Sequence, residues 1–594
     1  MCGIIGYIGF RKASEVILQG LKTLEYRGYD SAGIAVSNEK GIEIKKGKGK
    51  VVDVSNSLCF TSLKGKIGIG HTRWGTHGNI CNKNAHPHFD CPKELALVHN
   101  GVIENYIALK KELITKGHKF RSETDSEVII HLVEQNRKSM QLENAFVNAV
   151  KRLRGSYAIV LLAKDEQKIF AARKNSPLIL GIGKSEHFLT SDIPAVLPYT
   201  RKIVTIEDEH IAIISKSEFK IFDFRGNKIK PKIIKVNWTQ EIAEKGGFAH
   251  FMLKEIYEQK TVLRESSPAN ILSAKKMIAN TKNIDIIACG TSNHAGIIFS
   301  ILLEKYLKKN ARTFIASEYQ AIANPNKNVL VIAISQSGET ADTLQAVRFA
   351  KSKNAKILAL TNVIGSSLAR ISNKTVYLNA GPEIGVAATK TFLFQLAVIY
   401  RLIFENYKNH ENRDVGDVCD VQKAIPKLIE STLSCEQKIQ KIKSVALKLK
   451  DKNDIFFIGR GLCYPIAMEG ALKLKELSYL HAEAYPAGEL KHGPLSLIQP
   501  NVPVIVLAPS DQLLPKIHGN IKEVKARGAF VIALTDNAII SKEADIALKI
   551  KKTKEILYPF SMLPILQLLA YYISVLRGTD PDHPRNLAKS VTVE

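Results

Sequence analysis

The chain has 594 residues, 45% of them hydrophobic and 24% charged, enough apolar material for several cores. Its formal net charge is +27, but Lys and Arg are scattered and no block of like charge stands out. That pattern describes a solvated Lys-rich surface and argues against a nucleic-acid footprint, while a positive field favours anionic small substrates. Eight cysteines without disulfide-framework spacing point to a reducing, cytoplasmic compartment, and residues 1–10 lack the basic and cleavable features of a secretory signal.

Taken in chain order, the first informative stretch is Met1-Cys2-Gly3-Ile4-Ile5-Gly6. If Met1 is removed, Cys2 carries both a thiol and a free α-amine, so nucleophile and base come from one residue. On position alone, an ordinary buried Cys is an equal reading. Residues 3–8, 33–37 and 67–71 read as short strands, and Glu15 to Glu25 as an amphipathic helix through Val16, Ile17, Leu21 and Leu24. Further strands are expected at Glu94–His99, Tyr157–Leu162, Lys168–Ala172 and His210–Ile214, with helices between Glu123 and Leu153. Short strands with helices between them predict a sheet-rich α+β layered domain.

Polar clusters punctuate these elements: Glu25 to Gly33, His71 to Gly78, Asn84 to His88, and His99-Asn100-Gly101. Ser122-Glu123-Thr124-Asp125 reads as a helix start with cap chemistry. Together they offer what a glutamine amidase needs: a thiolate, an oxyanion hole from the Asn100 side chain and the Gly101 N–H, an Arg73 fork for a carboxylate, and Asp125 for an ammonium. Taken singly, Arg73 reads as a salt bridge, Asp125 as a cap and Asn100-Gly101 as a turn dipeptide. His86 and His88 between Cys81 and Cys91 fit no common zinc spacing, so no metal is expected.

These clusters together resemble the glutaminase domain of the N-terminal-nucleophile (class II) amidotransferases, and specifically the isomerising glutamine–fructose-6-phosphate aminotransferases. The resemblance implies that Cys2 is the nucleophile after loss of Met1. It places Arg73, Thr76, His77, Asn100, Gly101 and Asp125 around the glutamine and makes Trp74 a gate between two active sites. Gly75 stands where that family pattern leads one to expect Ala.

Asn237 to Gly247 reads as an interdomain connection and His250 to Gln259 as a helix. Beyond it, β-branched apolar runs alternate with helical segments, the pattern of parallel sheets with crossover helices. There is an internal repeat: 283–290 resembles 453–461, Val329–Ser335 resembles Val502–Ser510, and Ala355–Asn362 resembles Ala529–Asp536. Two copies of a doubly wound α/β unit account for it. The loops Cys289-Gly290-Thr291-Ser292 and Ser335-Gln336-Ser337-Gly338-Glu339-Thr340 follow strands and suit a phosphate; the second copy has Pro509-Ser510-Asp511 instead. A single such loop reads better as a capped helix start; two successive loops at strand C-terminal ends favour a phosphate.

Glu469, Lys473 and Glu476 fall on one helical face, a surface ion ladder on the plainest reading. The uncharged stretch Ile556 to Leu576 is long enough to cross a bilayer but carries Pro559, Pro564, Gln567 and two tyrosines, and reads as a buried helix. The polar terminus Pro584 to Glu594 follows a Pro-rich run that suggests a fixed path.

The second half resembles the two sugar-isomerase (SIS) domains of the same family. That resemblance implies a sugar phosphate held by Ser335, Gln336, Ser337 and Thr340, with Thr291, Ser292 and Val386 nearby. It implies a Schiff base on Lys589, a C1–C2 proton shift by Glu476, and ring opening by His492 with Lys473. It also implies a division into a glutaminase domain (2–236), a linker and connecting helix (237–272), SIS domains at 273–415 and 445–584, and an active-site tail (585–594). The expected activity converts L-glutamine and D-fructose 6-phosphate to L-glutamate and D-glucosamine 6-phosphate with channelled ammonia, the first step of hexosamine biosynthesis. No cofactor, nucleic acid or membrane is expected, and a homodimer is. The acidic pyrophosphate loop of a phosphoribosyl-pyrophosphate amidotransferase and the Ser-Gly-Gly-x-Asp loop of an asparagine synthetase are both missing. A non-catalytic phosphosugar-binding regulator has no use for Cys2, Glu476 and Lys589 together.

Overall fold

Glycine-punctuated β-branched runs near the N-terminus form strands that bury both faces, and they do so in two stacked sheets. The structure, a computed structural model, describes residues 2–236, 245–265, 270–407 and 416–592. Residues 1–244 and 588–594 cluster as one unit and residues 245–587 as a second. Met1, most of the expected connection (237–244), the end of the first expected SIS domain (408–415) and the last two residues of the tail lie outside the described residues.

In the first unit an eight-stranded sheet centres on Gly3–Ile8, flanked by His187–Thr190 and Ile67–Arg73. A six-stranded sheet centres on Gly155–Ala163, between Leu95–Ile103 and Ile169–Lys174. The ladders that build both sheets are antiparallel. Ile4, Ile8 and Ile69 of the first sheet share one core with Val98, Val160 and Ala212 of the second, so the sheets face each other. The outer face of the first packs on helix Ala13–Leu24, that of the second on helices Glu127–Arg137 and Leu142–Lys151. The expected α+β layering is thus a helix–sheet–sheet–helix stack.

Two local expectations change. Asn100-Gly101 is not a turn: the strand runs on to Ile103. Gly101 adopts φ +124°, and a Cβ there would lie 2.0 Å from the Ser156 carbonyl, so only glycine lets the strand pass. The helix expected to start at Ser122 begins at Glu127. The polar run before it is used otherwise: Ser122 donates its N–H and hydroxyl to Glu127 Oε2 at 2.7 and 2.6 Å, and Asp125 accepts from Ile103 N at 2.7 Å.

The second unit holds two five-stranded parallel sheets. One runs Asn310–Ile315, Asn283–Ala288, Val329–Ser335, Lys356–Thr361, Lys374–Tyr377 in space, and the other His481–Pro486, Asp454–Gly459, Pro503–Leu507, Phe530–Thr535, Ile546–Lys549. Both have the order 2-1-3-4-5, so the repeat seen in sequence is a repeat of topology. In each, the strand order reverses between the first and third strands, where doubly wound folds bind ligands. Helix Tyr558–Leu576 lies in the core shared by the two sheets, beside helix Cys463–Ser478. The bilayer-length apolar stretch is therefore an interior helix of this unit, buried without a break from Leu557 to Tyr571.

Candidate active sites

Cys2 stands at the head of the central strand Gly3–Ile8, half-buried, its sulfur accepting from Trp74 N at 3.2 Å. Its carbonyl accepts from Asn100 Nδ2 at 3.0 Å and from Arg27 Nε at 3.2 Å. Arg27 is itself fixed by Asp192 at 3.1 Å. Burial pushes the Cys2 thiol above its ordinary pKa, so forming the thiolate requires a nearby base. The cavity at the sulfur is lined by Trp74, Thr76, Asn100 and Gly101, together with Arg27, Pro177 and Thr592. Four of the residues expected around glutamine or at the gate thus meet at Cys2.

Arg73, His77 and Asp125 form a linked group. Arg73 is buried and its guanidinium donates to the His77 carbonyl and, at 3.4 Å, to that of Gly78. His77 Nδ1 lies 4.0 Å from Asp125 Oδ1. Gly75 donates its N–H to Asp30 at 2.8 Å, and Trp74 packs edge-on against Tyr29 at 5.6 Å. Behind Asn100 stands His71, within 3.1 Å of its Oδ1. Arg27, His71 and Thr592 were not among the expected site residues. Arg27 and His71 lie inside the quoted clusters; nothing in the sequence ties Thr592 to Cys2.

In the second unit, helix Gly290–Leu307 begins directly after strand Asn283–Ala288. Thr291 Oγ1 donates to Glu469 Oε1 at 3.0 Å, and His294 Nδ1 sits 2.7 Å from Glu469 Oε2. Lys473 Nζ lies 3.5 Å from Glu469 and 2.5 Å from Glu476 Oε2. Glu469 and Lys473 are each 1% exposed, so the face is an interior ion cluster where a surface ladder was the plainest expectation. Burial works against the Lys473 ammonium, but Glu476 and Glu469 outweigh it and hold its pKa above the usual lysine value. His294 was missed; its placement on the facing helix carried no signal in sequence.

The loop after strand Val329–Ser335 folds on its own hydroxyls. Ser335 Oγ accepts from Gly338 N at 3.1 Å and bonds Thr340 Oγ1 at 3.0 Å, while Ser337 Oγ accepts from Glu339 N at 3.1 Å. Thr340 is the N-cap of helix Ala341–Ser352 without a side-chain cap bond. Gln336 accepts from Asn362 N at 3.0 Å through its carbonyl, and Ser292 Oγ accepts from Gln395 at 2.9 Å. Val386 is buried, its N–H on the Asp582 carbonyl. His492 sits on an exposed turn after Glu489–Lys491. The run into the tail is held: Asp582 accepts from Phe251 N and Met252 N at 2.8 and 2.9 Å, and Arg585 N donates to Tyr479 Oη at 2.7 Å. Lys589 is half-buried in the stretch from 588 that clusters with the first unit.

Comparison with known proteins gives a concordant result. A family model described as a glutamine amidotransferase domain matches residues 77–198, and one described as an SIS domain matches residues 277–404 and 448–577. A glutamine–fructose-6-phosphate aminotransferase (isomerizing) of Pyrococcus horikoshii is 50% identical over 602 residues, covering all of both chains. Proteins of the same name from Thermococcus kodakarensis and Aquifex aeolicus are 47% and 45% identical, again over full length. Among solved structures, the C-terminal domain of glucosamine-fructose-6-phosphate aminotransferase from Francisella tularensis is 40% identical, with a TM-score of 0.53 over 57% of this chain and 100% of that one. The chain belongs to the family of isomerising glutamine–fructose-6-phosphate aminotransferases, an amidotransferase domain joined to two SIS domains.

Proposed function

We propose that the chain converts L-glutamine and D-fructose 6-phosphate to L-glutamate and D-glucosamine 6-phosphate, passing ammonia between two sites, as the first step of hexosamine biosynthesis. The observation that carries this reading is Cys2, second in the chain, with its sulfur in a cavity lined by Trp74, Thr76, Asn100 and Gly101. With Met1 removed, the α-amine takes the thiol proton, and the sulfur attacks the glutamine side-chain carbonyl. The oxyanion is received by the second N–H of Asn100 and the N–H of Gly101. Arg73 holds the α-carboxylate and Asp125 the α-ammonium, with Thr76 and His77 beside them. Collapse of the adduct releases ammonia and leaves a thioester on Cys2, which water hydrolyses to glutamate. Trp74 gates the ammonia.

In the sugar reaction, Ser335, Gln336, Ser337 and Thr340 hold the phosphate at the strand ends, with Thr291, Ser292 and Val386 around the sugar. His492, with Lys473, assists ring opening. Lys589 condenses with the ketone, ammonia replaces it as the imine nitrogen, and Glu476 takes a proton from C1 and returns one to C2. The domain limits expected from sequence are retained in this reading, as are a homodimer through the SIS half and a cytoplasmic location, the first testable by sedimentation.

The test is stoichiometric. With both substrates, glutamate and glucosamine 6-phosphate are expected in equal amounts. Cys2→Ala is expected to abolish glutamine-dependent synthesis and to spare sugar-phosphate isomerisation; loss of both in a folded protein overturns the division of labour. Trp74→Ala is expected to raise glutamate above amino sugar, and unchanged stoichiometry removes Trp74 as the gate.

A further inference from the structure

Away from Cys2, four side chains that the reaction does not use converge on one point. Cys91 follows strand His88–Phe89, His118 follows helix Tyr106–Thr115, and His131 and Glu134 share a face of helix Glu127–Arg137. One ligand atom from each lies within 4.8 Å of every other. Cys91 Sγ is 3.9 Å from His118 Nδ1 and 3.8 Å from His131 Nδ1, and Glu134 Oε2 is 3.0 and 2.8 Å from the same two nitrogens. A tetrahedral zinc with one sulfur, two nitrogens and one oxygen holds its ligand atoms about 3.3 to 3.6 Å apart. The observed spacings fall on either side of that range.

Proton placement supports the same reading. His118 Nε2 lies 2.9 Å from Gln135 Oε1, and Lys138 Nζ donates to that same oxygen at 3.0 Å, which fixes the amide orientation. The His118 proton therefore sits on Nε2, and Nδ1 turns a lone pair to the centre. His131 turns its Nδ1 to the same centre, 2.8 Å from Glu134 Oε2, and its Nε2 lies 3.6 Å from the Glu127 carboxylate, beyond hydrogen-bond reach. The His118 ring is backed on its outer nitrogen by an acceptor, the arrangement that orients metal-bound histidines. Lys119 N points at Cys91 Sγ from 3.4 Å, a donor suited to a thiolate.

We propose that Cys91, His118, His131 and Glu134 bind one divalent transition-metal ion, with zinc the ion that the S, N, N, O donor set suits best. Binding releases the Cys91 thiol proton to solvent. Thiolate and carboxylate then balance the 2+ charge, and both imidazoles stay neutral. Four protein ligands leave no open position, so the ion is structural. It ties the loop at Cys91 and the segment at His118 to helix Glu127–Arg137, just beyond Asp125 and Ser126. The spacings between Cys91, His118 and His131 match no finger pattern, so nothing in the order of residues announces a metal there.

The test uses the full-length chain, equilibrated with Zn²⁺ alone, desalted and analysed by elemental mass spectrometry. About one zinc per chain is expected, with loss in Cys91→Ser and in His118→Gln. Loading wild type with Co²⁺ is expected to give a thiolate-to-cobalt absorption that Cys91→Ser lacks, a readout that needs no catalysis. Circular dichroism checks that the variants are folded. Wild-type protein that holds no zinc after desalting overturns the proposal. So does zinc content, or the cobalt–thiolate band, that survives in folded Cys91→Ser.

Discussion

His71 sets the orientation of Asn100. His71 Nε2 lies 2.9 Å from the His99 carbonyl, which can only accept, so that nitrogen bears the hydrogen. The same hydrogen faces Asn100 Oδ1 at 3.1 Å, which turns the Asn100 amide nitrogen toward Cys2. Burial lowers the His71 pKa to about 3, so the ring stays a neutral donor throughout the working range. His71→Leu keeps the volume and removes the donor. Glutamine hydrolysis is expected to fall about tenfold to a hundredfold in kcat, somewhat less than loss of an oxyanion donor itself costs. Isomerisation of the sugar phosphate is expected to stay unchanged. A kcat within twofold of wild type removes His71 as the orienting group.

The same buried histidines make the first unit acid-sensitive. His71, His86, His88 and His99 all have lowered pKa values, burial being the largest cause in each. In the folded state they stay neutral, while unfolded they protonate near 6.5. Below that pH the unfolded chain binds more protons, so stability falls as pH drops, by up to about 1.4 kcal/mol per pH unit for each group. The window for His71 runs from about 6.5 down to about 3. Urea midpoints at pH 7.5, 6.5 and 5.5 check the sum. A midpoint that stays flat or rises toward pH 5.5 contradicts it.

Much of the fold was legible in the residues themselves, for reasons that differ by element. The strands around Cys2 and the two parallel sheets announced themselves because a buried strand must be apolar and its turns need glycine. The repeat determined the fold of the second half, since similar strand runs recurring at similar offsets arise when one structural unit is used twice. Contacts between distant segments were not legible. His294 meets Glu469 across 175 positions, and Thr592 reaches the Cys2 cavity from the far end of the chain. Cys91 gathers partners 27 and 40 positions away, spacings that no local pattern encodes. The burial of Lys473 was hidden for a related reason, because an i, i+3, i+4 charge ladder looks the same in sequence whether its face is wet or dry.

That burial carries its own prediction. Lys473 is the cation between Glu469 and Glu476, and it neutralises a carboxylate that is otherwise shared only by Thr291 and His294 among the described residues. Lys473→Met leaves Glu469 buried without it, and a loss of about 3 kcal/mol in the stability of the second unit is expected. Adding Glu469→Gln to Lys473→Met is expected to restore most of that loss, because the uncompensated charge goes with its partner. Sugar isomerisation is expected to fail in both variants. Denaturant unfolding of the single and double variants measures the difference, and equal instability of the two would assign the cost to packing instead of charge.

Two glycines in site loops separate a required backbone from a permitted one. Gly338 adopts φ +65°, and a Cβ on it would lie 2.2 Å from Ser366 Oγ and 2.8 Å from Thr361 Oγ1. Alanine there meets both a left-handed backbone and a collision, and the loop that carries Ser335, Ser337 and Thr340 must shift. Gly338→Ala is expected to raise KM for fructose 6-phosphate about tenfold or more, about 1.4 kcal/mol of binding, with glutamine hydrolysis unaffected. Gly75 lacks a positive φ, and a Cβ on it would sit 3.6 Å from both Arg73 Nη1 and Asp30 Oδ2, ordinary contact distances. Gly75→Ala is therefore expected to leave both half-reactions and their coupling within twofold of wild type. Kinetics of the two variants side by side decide the matter: a coupling defect in Gly75→Ala would mean that freedom next to Trp74 is used, and a normal KM in Gly338→Ala would free the phosphate loop from its dependence on that turn.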